Sequence, residues 1–331
     1  MKTHPSSMRA LQLQGINHLN EVEMKVPTPA ADEVLVRMRQ ATICTSDLHD
    51  IQRNPFGIRY PRVMGHEGAG EIVAYGADVM GLAEGTYVAT HPVIHCGHCT
   101  ECKRGLTHLC SRMGHLGIDR DGCFAEYVTI RSDRVFSLTD PKAIAVGSLL
   151  EPVAVCLEAI SRAGTIAQRD VLIVGDGPFG NIIARLARRK GAARVVVCGR
   201  EPFRMAQIRG TETVTHVDEK AFDVAILAVS AAEAVGACMR ALRPRGRLVV
   251  FSSLTEPVPV DLFTLQLAEL ELVGACNDED QVAEALACLV DPDLQLAELI
   301  THHVSFDDWQ EAFALARDAH DSALKIALIF S

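Results

Sequence analysis

Four cysteines in one short segment have the residue type and the spacing of a metal site. The segment is CGHCTECKRGLTHLC, residues 96–110, and its thiols are Cys96, Cys99, Cys102 and Cys110. The spacing C-x2-C-x2-C-x7-C lets the thiolates converge on one tetrahedral zinc ion, and four sulfurs leave no position for water or substrate. We therefore predict a structural zinc site, with His95 and His98 as bystanders. The alternatives are an iron–sulfur cluster, a redox site or unligated thiols.

A second group has the donor types of a zinc site with an open position. It consists of Cys44 in ICTSDLHD, His66 and Glu67 in MGHEGAG, and Glu151 in LLEPVAV. One thiolate, one imidazole and one carboxylate make a three-ligand set that leaves room for a substrate oxygen, where zinc acts as a Lewis acid. Taken singly, a cysteine such as Cys44 is usually a buried thiol, and a glutamate such as Glu151 is usually a surface or interdomain carboxylate.

The stretch VLIVGDGPFG contains a glycine-rich turn in the register G-x-G-x-x-G. The turn comprises Gly175, Gly177, Pro178, Phe179 and Gly180, together with one aspartate. It follows an apolar strand and opens a helix, which is the context in which this motif binds a dinucleotide. Gly175 permits the turn, Gly177 lets the pyrophosphate approach the backbone, and Gly180 permits close helix packing. We expect a nicotinamide dinucleotide at this turn.

The strand that follows ends without the acidic residue that normally accepts the ribose 2′-hydroxyl of NAD. Cys198, Gly199 and Arg200 stand there instead. Gly199 removes the repulsion that excludes a 2′-phosphate, and Arg200 together with Arg204 would bind that phosphate. The pattern favours NADP over NAD. NAD stays possible if both arginines are solvated or if Glu201 takes the acidic role.

Two kinds of sequence are expected to position these groups. The first 150 or so residues contain short β-branched runs such as VLVRM, GEIVAYG and EYVTI, which predict many short strands in a barrel-like domain. From about residue 154, apolar strands alternate with helical stretches, as in DVLIVG followed by NIIARLARRKGA. This alternation predicts a parallel sheet covered by helices on both faces. The final SALKIALIFS predicts a strand that returns to the first domain.

The length of 331 residues agrees with two domains. We expect a catalytic domain made of residues 1–153 and 293–331, which carries a zinc lobe at about 91–112. The intervening residues 154–292 are expected to form the dinucleotide-binding domain.

The overall charge excludes some classes of partner. The 32 basic and 42 acidic residues give a net charge of −10, which argues against nucleic acid and anionic membranes. No apolar run approaches the roughly 20 residues that span a bilayer. Eleven cysteines, an odd number, are expected to be ligands or buried thiols in a reducing compartment. We expect a cytoplasmic protein that acts on a small molecule.

The run GHEGAGEIVAYGADV fits the signature GHE-x2-G-x5-G-x2-V and resembles the zinc-dependent medium-chain alcohol and polyol dehydrogenases. The matching residues are Gly65, His66, Glu67, Gly70, Gly76 and Val79. LLEPVAV resembles the sorbitol- and cyclitol-dehydrogenase-like branch, where a glutamate replaces a cysteine of liver-type alcohol enzymes. The resemblance implies a GroES-like β-barrel catalytic domain, a Rossmann doubly wound parallel-sheet cofactor domain, and a homodimer or homotetramer.

The resemblance also implies ligand roles. Cys44 and His66 are expected to bind a catalytic zinc, with Glu67 or Glu151 completing the ligand set directly or through water. Lys325 in ALKIALIF matches a basic family position near Glu67. Each chain would then carry one catalytic and one structural zinc.

The residues after Cys44 match the proton path of this family. Ser46 and His49 are expected to carry a proton to solvent, and Asp47 to orient His66. The expected reaction is hydride transfer between NAD(P) and a secondary alcohol, polyol or cyclitol, which interconverts alcohol and ketone. The alternatives are a zinc-free quinone or enoyl reductase of the same superfamily and a non-catalytic dinucleotide sensor.

Overall fold

The computed structural model describes residues 4–318 and 322–331. Within them, the strands that precede the glycine-rich turn are β1 (Ser7–Leu13), β2 (Leu19–Lys25), β3 (Glu33–Thr42), β4 (Arg62–Val63), β5 (Glu67–Tyr75), β6 (Tyr87–Thr90), β7 (Val93–Ile94), β8 (Gly114–His115), β9 (Tyr127–Arg131) and β10 (Val135–Ser137). The later strands are β11 (Asp170–Val174), β12 (Arg194–Cys198), β13 (Glu212–Val214), β14 (Phe222–Leu227), β15 (Leu242–Val250), β16 (Glu271–Gly274), β17 (Ile300–Ser305) and β18 (Lys325–Ile329).

The helices of the described residues lie mainly in the second half of the chain. They are α1 (Thr45–Arg53), α2 (Thr100–Lys103), α3 (Pro141–Ala145), α4 (Leu150–Ala163), α5 (Pro178–Arg189), α6 (Pro202–Ala206), α7 (Ala232–Ala241), α8 (Leu262–Leu267), α9 (Val282–Leu289) and α10 (Trp309–Asp318). Short 3-10 helices lie at Thr107–Leu109, Ser132–Arg134, Gly147–Leu149, Leu296–Leu299 and Phe306–Asp308. None of the helices described is long and apolar enough to span a membrane.

The first large sheet is centred on β3. Its strands run in the order β10-β6-β5-β3-β18-β17, and β9 also pairs with β3. The register between β3 and β5 shifts at two places, and such irregularities bend a sheet toward a barrel. As predicted, the C-terminal strand returns to this sheet, because β18 pairs antiparallel with β3. The smaller sheets β2-β1-β4 and β7-β8 lie outside this order.

The second large sheet is parallel. Its order is β13-β12-β11-β14-β15-β16, which is 3-2-1-4-5-6 when the six strands are counted from β11. This is the dinucleotide-binding order, in which ligands bind beyond the carboxyl ends of the strands where the order reverses. The reversal lies between β11 and β14, directly beside the glycine-rich turn.

Both faces of the parallel sheet are covered, as the nearly continuous apolar strands predict. Val171 and Ile173 of β11 belong to a core that includes residues of α4, α5 and α9. Leu172, which lies between them, belongs to a separate core with residues of α7. Alternate side chains of one strand therefore pack on opposite helical layers. This double cover fixes the end of β11, and with it the position of the turn that follows.

Candidate active site

The four cysteines of the segment 96–110 converge, as the spacing predicts. Their sulfur atoms all lie within 4.8 Å of one another, and the Sγ atoms of Cys99 and Cys110 are 3.7 Å apart. Four thiolates at about 2.3 Å from one zinc would be separated by about 3.8 Å. The backbone N–H groups of Cys96 and Arg112 donate to Cys110 Sγ at 3.3 and 3.4 Å. The donor set fits a structural zinc ion.

Three donors of the second group also converge. A ligand atom from each of Cys44, His66 and Glu67 lies within 4.8 Å of the others, and all three residues are buried. Cys44 is the N-cap of α1, and Glu67 opens β5 directly after His66. A helix start and a strand start therefore face each other, which holds a thiolate, an imidazole and a carboxylate around one point. This set fits a zinc ion with an open position.

Asp47 connects two of these donors. Its Oδ2 accepts a hydrogen bond from the backbone N–H of Cys44 at 2.9 Å, and its Oδ1 lies 3.3 Å from His66 Nδ1. The structure thus places Asp47 where it can orient His66, the role that ligating imidazoles generally require of a neighbour. Burial lowers the pKa of His66, but the carboxylate of Asp47 and the thiol of Cys44 raise it further, so that its pKa lies well above the ordinary value.

Glu67 is held from two sides. Lys325 Nζ donates to its Oε1 at 2.7 Å, and Thr42 Oγ1 donates to its Oε2. The Thr42 hydroxyl also lies 3.4 Å from the carbonyl oxygen of Ser148. Thr42 is a contact that the sequence analysis missed, because a threonine at the end of a strand carries no signal for a carboxylate partner 25 residues away.

Glu151 lies in the first turn of α4, outside the 4.8 Å group. Among the described residues, its Oε2 is buried without a hydrogen-bond partner. Burial raises the pKa of Glu151 to about 7, with an opposing effect from His66 and a reinforcing one from Glu67. A buried carboxylate oxygen without a partner suits a cation nearby. Glu67 therefore belongs to the converging group with Cys44 and His66. Glu151 lies outside that group, with one carboxylate oxygen that has no partner among the described residues.

Ser46 and His49 lie on one face of α1, because residues three apart in a helix are neighbours. Both side chains are half-buried. Burial and the nearby charge of Arg53 lower the pKa of His49 below the ordinary imidazole value. The ring is therefore neutral at pH 7 and can accept a proton.

His115 is a further imidazole at this site. Its ring centroid lies 5.7 Å from that of His66, and its Nδ1 donates to the carbonyl oxygen of Leu116 at 2.7 Å. Burial and the charge of His66 lower the pKa of His115 to about 3. The ring stays neutral, and the hydrogen bond at Nδ1 leaves Nε2 as an acceptor. His115 was not among the predicted site residues, because a lone histidine at the end of the short strand β8 has no motif around it.

The glycine-rich turn has the shape that its motif predicts. Gly175 has a φ of +125°, and a Cβ there would meet the carbonyl oxygen of Ala228 at 2.7 Å. A Cβ on Gly180 would lie 1.9 Å from the carbonyl oxygen of Gly175, so close helix packing excludes a side chain. Gly177 is the N-cap of α5, and its missing Cβ would meet nothing within 4 Å. That open space at a helix N-terminus fits a pyrophosphate.

Pro178 and Phe179 follow Gly177 as the first residues of α5. Pro178 suits the first helical position, where the backbone N–H has no partner within the helix. The Phe179 ring packs edge-on against Phe251 with centroids 5.1 Å apart, and Phe179 O accepts from Cys156 Sγ at 3.8 Å. These two residues shape the turn through its backbone and its packing.

The end of β12 carries an unexpected neighbour. The side chain of Asp176, in the glycine-rich turn, lies where a side chain on Gly199 would start, with Oδ2 at 2.4 Å from an ideal Cβ. The same Oδ2 accepts from the backbone N–H groups of Arg200 and Glu201 at 2.6 and 2.8 Å. The residues at the end of β12 lack a carboxylate, but Asp176 of the turn places one where a side chain on Gly199 would lie. The sequence signal for this contact is Asp176 itself, which stands inside the G-x-G-x-x-G register.

Arg200 and Arg204 lie in different surroundings. Arg200 lines a cavity of about 470 Å³ together with Gly175, Asp176, Gly199 and Arg240. Its side chain is 84% exposed and lies 3.8 Å from Glu233. Arg204 is half-buried and does not line this cavity. The structure therefore brings one of the two predicted arginines to the cavity.

The Nε of Arg204 donates instead to the carbonyl oxygen of Ala323 at 3.3 Å. Ala323 lies next to β18, which belongs to the first large sheet. Arg204 therefore contacts the segment that leads into that sheet.

Comparisons with known proteins agree with this arrangement. The profile of the alcohol dehydrogenase GroES-like domain matches residues 30–140. L-threonine 3-dehydrogenase of Pyrococcus furiosus is 32% identical over 320 residues, which cover 89% of this chain and 91% of that enzyme. This chain belongs to the zinc-dependent medium-chain alcohol and polyol dehydrogenase family.

Solved structures of similar proteins match this medium-chain dehydrogenase over nearly its whole length. A protein from Sinorhizobium meliloti 1021, provisionally assigned as a zinc-binding dehydrogenase and solved with NADP, has a TM-score of 0.91 and 26% identity, covering 98% of this chain and 100% of that one. Galactitol-1-phosphate dehydrogenase from Escherichia coli has a TM-score of 0.89 and 26% identity, covering 97% of this chain and 100% of that one.

Family membership confirms several predictions. The fold is a GroES-like β-barrel domain joined to a Rossmann parallel-sheet domain. The chain is an NAD(P)-linked oxidoreductase of the alcohol and polyol dehydrogenase class, which opposes the zinc-free reductase and non-catalytic sensor alternatives. The relative solved with NADP and the converging donor groups of this chain both indicate zinc and a nicotinamide dinucleotide as the cofactors.

Proposed function

We propose that this dehydrogenase interconverts a secondary alcohol and its ketone at a zinc ion held by Cys44, His66 and a glutamate. The observation that carries the proposal is the convergence of Cys44, His66 and Glu67 within 4.8 Å. The buried Oε2 of Glu151, which has no partner among the described residues, supports a cation beside them. Cys96, Cys99, Cys102 and Cys110 would hold the second, structural zinc.

When bound, zinc supplies a Lewis acid for the carbinol oxygen, and the nicotinamide accepts the hydride. The protein's own part is to fix the donors. Asp47 orients His66 through Nδ1 and anchors the Cys44 backbone. Lys325 and Thr42 hold Glu67 in one orientation. Because these contacts are buried, the donors need little rearrangement when substrate binds.

We propose that Ser46 and His49 move the alcohol proton toward solvent. Ser46, two residues after Cys44 and near the start of α1, can accept the proton of a bound hydroxyl and donate its own onward. His49 is one turn further along α1, half-buried, and neutral at pH 7 because its pKa is lowered. A neutral imidazole is the form that accepts a proton. Oxidation should therefore proceed best above the pKa of His49.

The proposed substrate is a polar secondary alcohol, such as a polyol, a cyclitol or a hydroxy amino acid. The Pyrococcus furiosus relative is named for L-threonine, and the Escherichia coli structure for galactitol 1-phosphate. Both names describe a hydroxyl beside further polar groups. Near the donor group, neutral His115 offers Nε2 as a hydrogen-bond acceptor for such a neighbouring polar group.

We propose NADP as the preferred cofactor, with NAD as the alternative. Arg200 lines the cavity beside Gly199 and is largely exposed, so it can reach a 2′-phosphate. Arg240 lines the same cavity. The Asp176 carboxylate opposes this preference, although two backbone N–H groups already bind it. Glu233 and Glu219 also line the cavity, each 3.8 Å from one of these arginines. The net preference depends on the balance between the two arginines and these three carboxylates.

We also propose self-association through the edge of the parallel sheet, as a homodimer or homotetramer. β16 is the edge strand of that sheet, and α8 lies shortly before it. Leu262, Phe263 and Leu267 of α8 are each 69% exposed. Light scattering after gel filtration would determine the state, and a monomer at micromolar concentration would contradict it. We also propose the cytoplasm as its location, because none of the eleven cysteines forms a disulfide.

The test is a spectrophotometric screen on full-length protein with measured metal content. Polyols, cyclitols, L-threonine and galactitol 1-phosphate are offered with NADP and with NAD, and ketones are offered with the reduced cofactors. We expect cofactor reduction with at least one secondary alcohol, and loss of activity when zinc is removed by a chelator. Tight cofactor binding without turnover of any substrate, on zinc-loaded protein, would favour the sensor instead.

A further inference from the structure

A third group of metal-ligand side chains lies away from both zinc sites of the proposed function. A ligand atom from each of His108, Glu158 and Glu279 lies within 4.8 Å of the others. His108 and Glu158 are buried, and Glu279 is exposed. The group therefore has two donors that are withdrawn from water and one that faces solvent, where an ion can enter.

His108 is a buried imidazole in which one ring nitrogen has no hydrogen-bond partner among the described residues. It is only 6% exposed. Its Nδ1 is buried without a hydrogen-bond partner among the described residues. A buried polar atom without a partner is costly, so such atoms usually bind water, an ion or a polar group.

The three side chains are close, but they are not bonded to one another. Within residues 4–318 and 322–331, no ion pair of 4.0 Å or less links His108 to Glu158 or to Glu279. Glu158 Oε2 instead accepts from the backbone N–H of Glu279 at 3.2 Å and from Gln281 Nε2 at 3.3 Å. The Glu158 carboxylate is therefore held by the loop of Glu279 and not by His108. Donors of one tetrahedral zinc are about 3.4 Å apart, so an ion would draw the three side chains slightly closer together.

We propose that His108, Glu158 and Glu279 bind a divalent cation of the zinc class. One imidazole and two carboxylates are a zinc donor set, and the exposed side of Glu279 leaves room for water to complete the coordination. The set contains no thiolate, which distinguishes it from the four-cysteine site and from the site of Cys44.

The cation would connect three separate parts of the fold. His108 lies two residues before Cys110 in the 96–110 segment, Glu158 lies two turns after Glu151 in α4, and Glu279 lies in the loop between β16 and α9. Two other contacts already fix this loop. Asn277 Nδ2 donates to the carbonyl oxygen of His108 at 2.9 Å, and Asp278 Oδ1 pairs with His91 Nε2 at 2.5 Å. These two contacts hold the loop of Glu279 against the segment that carries His108.

This location gives the cation a structural role. It would tie the cysteine-containing segment to the loop of the parallel-sheet domain and to the helix that carries Glu151. The proposal does not depend on the reaction, because no substrate or dinucleotide takes part in it.

The test compares Glu279→Gln with wild type and with Glu256→Gln, a control at another exposed glutamate of the same domain. Glu279 is exposed, and its backbone N–H is unchanged in the variant, so the fold should be retained. Full-length proteins are loaded with zinc, passed through gel filtration and analysed for metal. We expect Glu279→Gln to hold one zinc ion fewer per chain than the other two proteins. Cobalt-loaded protein should lose none of its thiolate-to-metal charge-transfer absorption in that variant.

Two results would overturn the proposal. The first is equal metal content in the three proteins, which would mean that His108 and the glutamates form a metal-free contact. The second is a loss of thiolate-to-cobalt absorption in Glu279→Gln, which would place the lost ion in a cysteine site. A second measurement is the thermal shift on zinc addition to metal-depleted protein. It should be smaller for His108→Asn than for His98→Asn, a neighbouring histidine outside the group, and equal shifts would also count against the proposal.

Discussion

Lys325 Nζ lies 2.7 Å from Glu67 Oε1, and neither side chain is more than 1% exposed to solvent. Burial lowers the pKa of Lys325, but the Glu67 carboxylate more than offsets this effect, so the pKa lies above the ordinary value. The lysine is therefore charged in the folded protein. Its positive charge balances the negative charge of the Glu67 carboxylate, which is buried beside Cys44 and His66.

Replacing Lys325 with Met should leave the Glu67 carboxylate buried and uncompensated. Breaking such a pair on one side costs about 3–5 kcal/mol, which we expect as the loss in the free energy of unfolding. Urea denaturation of the metal-depleted protein would measure it. The double variant Lys325→Met/Glu67→Gln is the control, because it removes both charges. If the single variant is no less stable than the double one, the pair does not act as we argue.

Cys44→Ser and Cys96→Ser should separate the two zinc sites. Altering a residue that only orients a ligand typically costs about 10–100-fold, so loss of the Cys44 thiolate should lower kcat at least about 100-fold. Dinucleotide binding, measured by fluorescence titration, should be unchanged. Cys96→Ser should instead lower the melting temperature, because a structural zinc contributes directly to folding. A stable Cys96→Ser protein that lacks only turnover would reverse the two assignments.

The pH profile of alcohol oxidation should report His49. Its pKa is lowered by burial and by the charge of Arg53, so the acid limb of kcat should lie below the ordinary imidazole value of about 6.5. Arg53→Gln removes a positive charge that disfavours the imidazolium, and the limb should move to higher pH. His49→Gln should lose the limb and about 100-fold in rate on the plateau above it, where the wild-type imidazole is neutral. An acid limb that stays in place in Arg53→Gln would exclude His49 as the titrating group.

Cofactor preference should respond to Asp176 and Arg200 in opposite directions. Asp176→Asn keeps the side-chain size but removes a negative charge beside Gly199, so it should increase the NADP-to-NAD ratio of kcat/KM. Arg200→Gln removes a charge-assisted contact worth about 1.5–3 kcal/mol and should weaken NADP at least about tenfold. Glu256→Gln, away from the cavity, serves as the control. Unchanged ratios in both variants would mean that neither group faces the ribose.

A double variant at Gly199 and Asp176 would test whether these two positions compete for the same space. A carboxylate introduced by Gly199→Asp alone would clash with Asp176, whose Oδ2 lies 2.4 Å from the new Cβ. We therefore expect the single variant to be destabilised. Gly199→Asp combined with Asp176→Gly should relieve the clash and favour NAD. Thermal denaturation and the two cofactor affinities would measure both effects, and a fully stable Gly199→Asp protein would show that the turn can move.

The pair between His91 and Asp278 should make stability depend on pH. Burial raises the pKa of Asp278, but the hydrogen bond and charge of His91 lower it further, so the folded pKa is below the ordinary value. The contribution is thus complete above the unfolded pKa of about 4 and is lost as pH falls through the lower folded value. Asp278→Asn should cost about 1–3 kcal/mol at pH 7, and this difference should shrink below pH 4.

Asp280→Asn is the matched control for that measurement. Asp280 is an exposed aspartate in the same loop, and asparagine tolerates its positive φ of 60°. Urea denaturation of both variants at several pH values would isolate the buried pair. If the difference in the free energy of unfolding between Asp278→Asn and wild type does not change with pH, the titration of Asp278 does not cause it.

Some features of this protein follow from residues that are close in the chain. The four cysteines of segment 96–110 and the glycines of the turn at 175–180 are fixed by local spacing, because a short loop can bring its own side chains together. The second donor group was also predictable, since Cys44, His66 and Glu67 lie in recognisable motifs. The alternation of strands and helices predicted the parallel sheet for the same reason: its pattern is periodic along the chain.

Other features exist only after folding. Lys325 meets Glu67 across 258 residues because β18 pairs with the strand next to β5. Asp176 fills the place of a side chain on Gly199 because the ends of β11 and β12 lie side by side. No local pattern encodes such contacts, since each depends on which strands become neighbours. The sequence by itself therefore determined the donors and the class of chemistry, and the tertiary structure decided which charges balance them, because burial and distance arise only from packing.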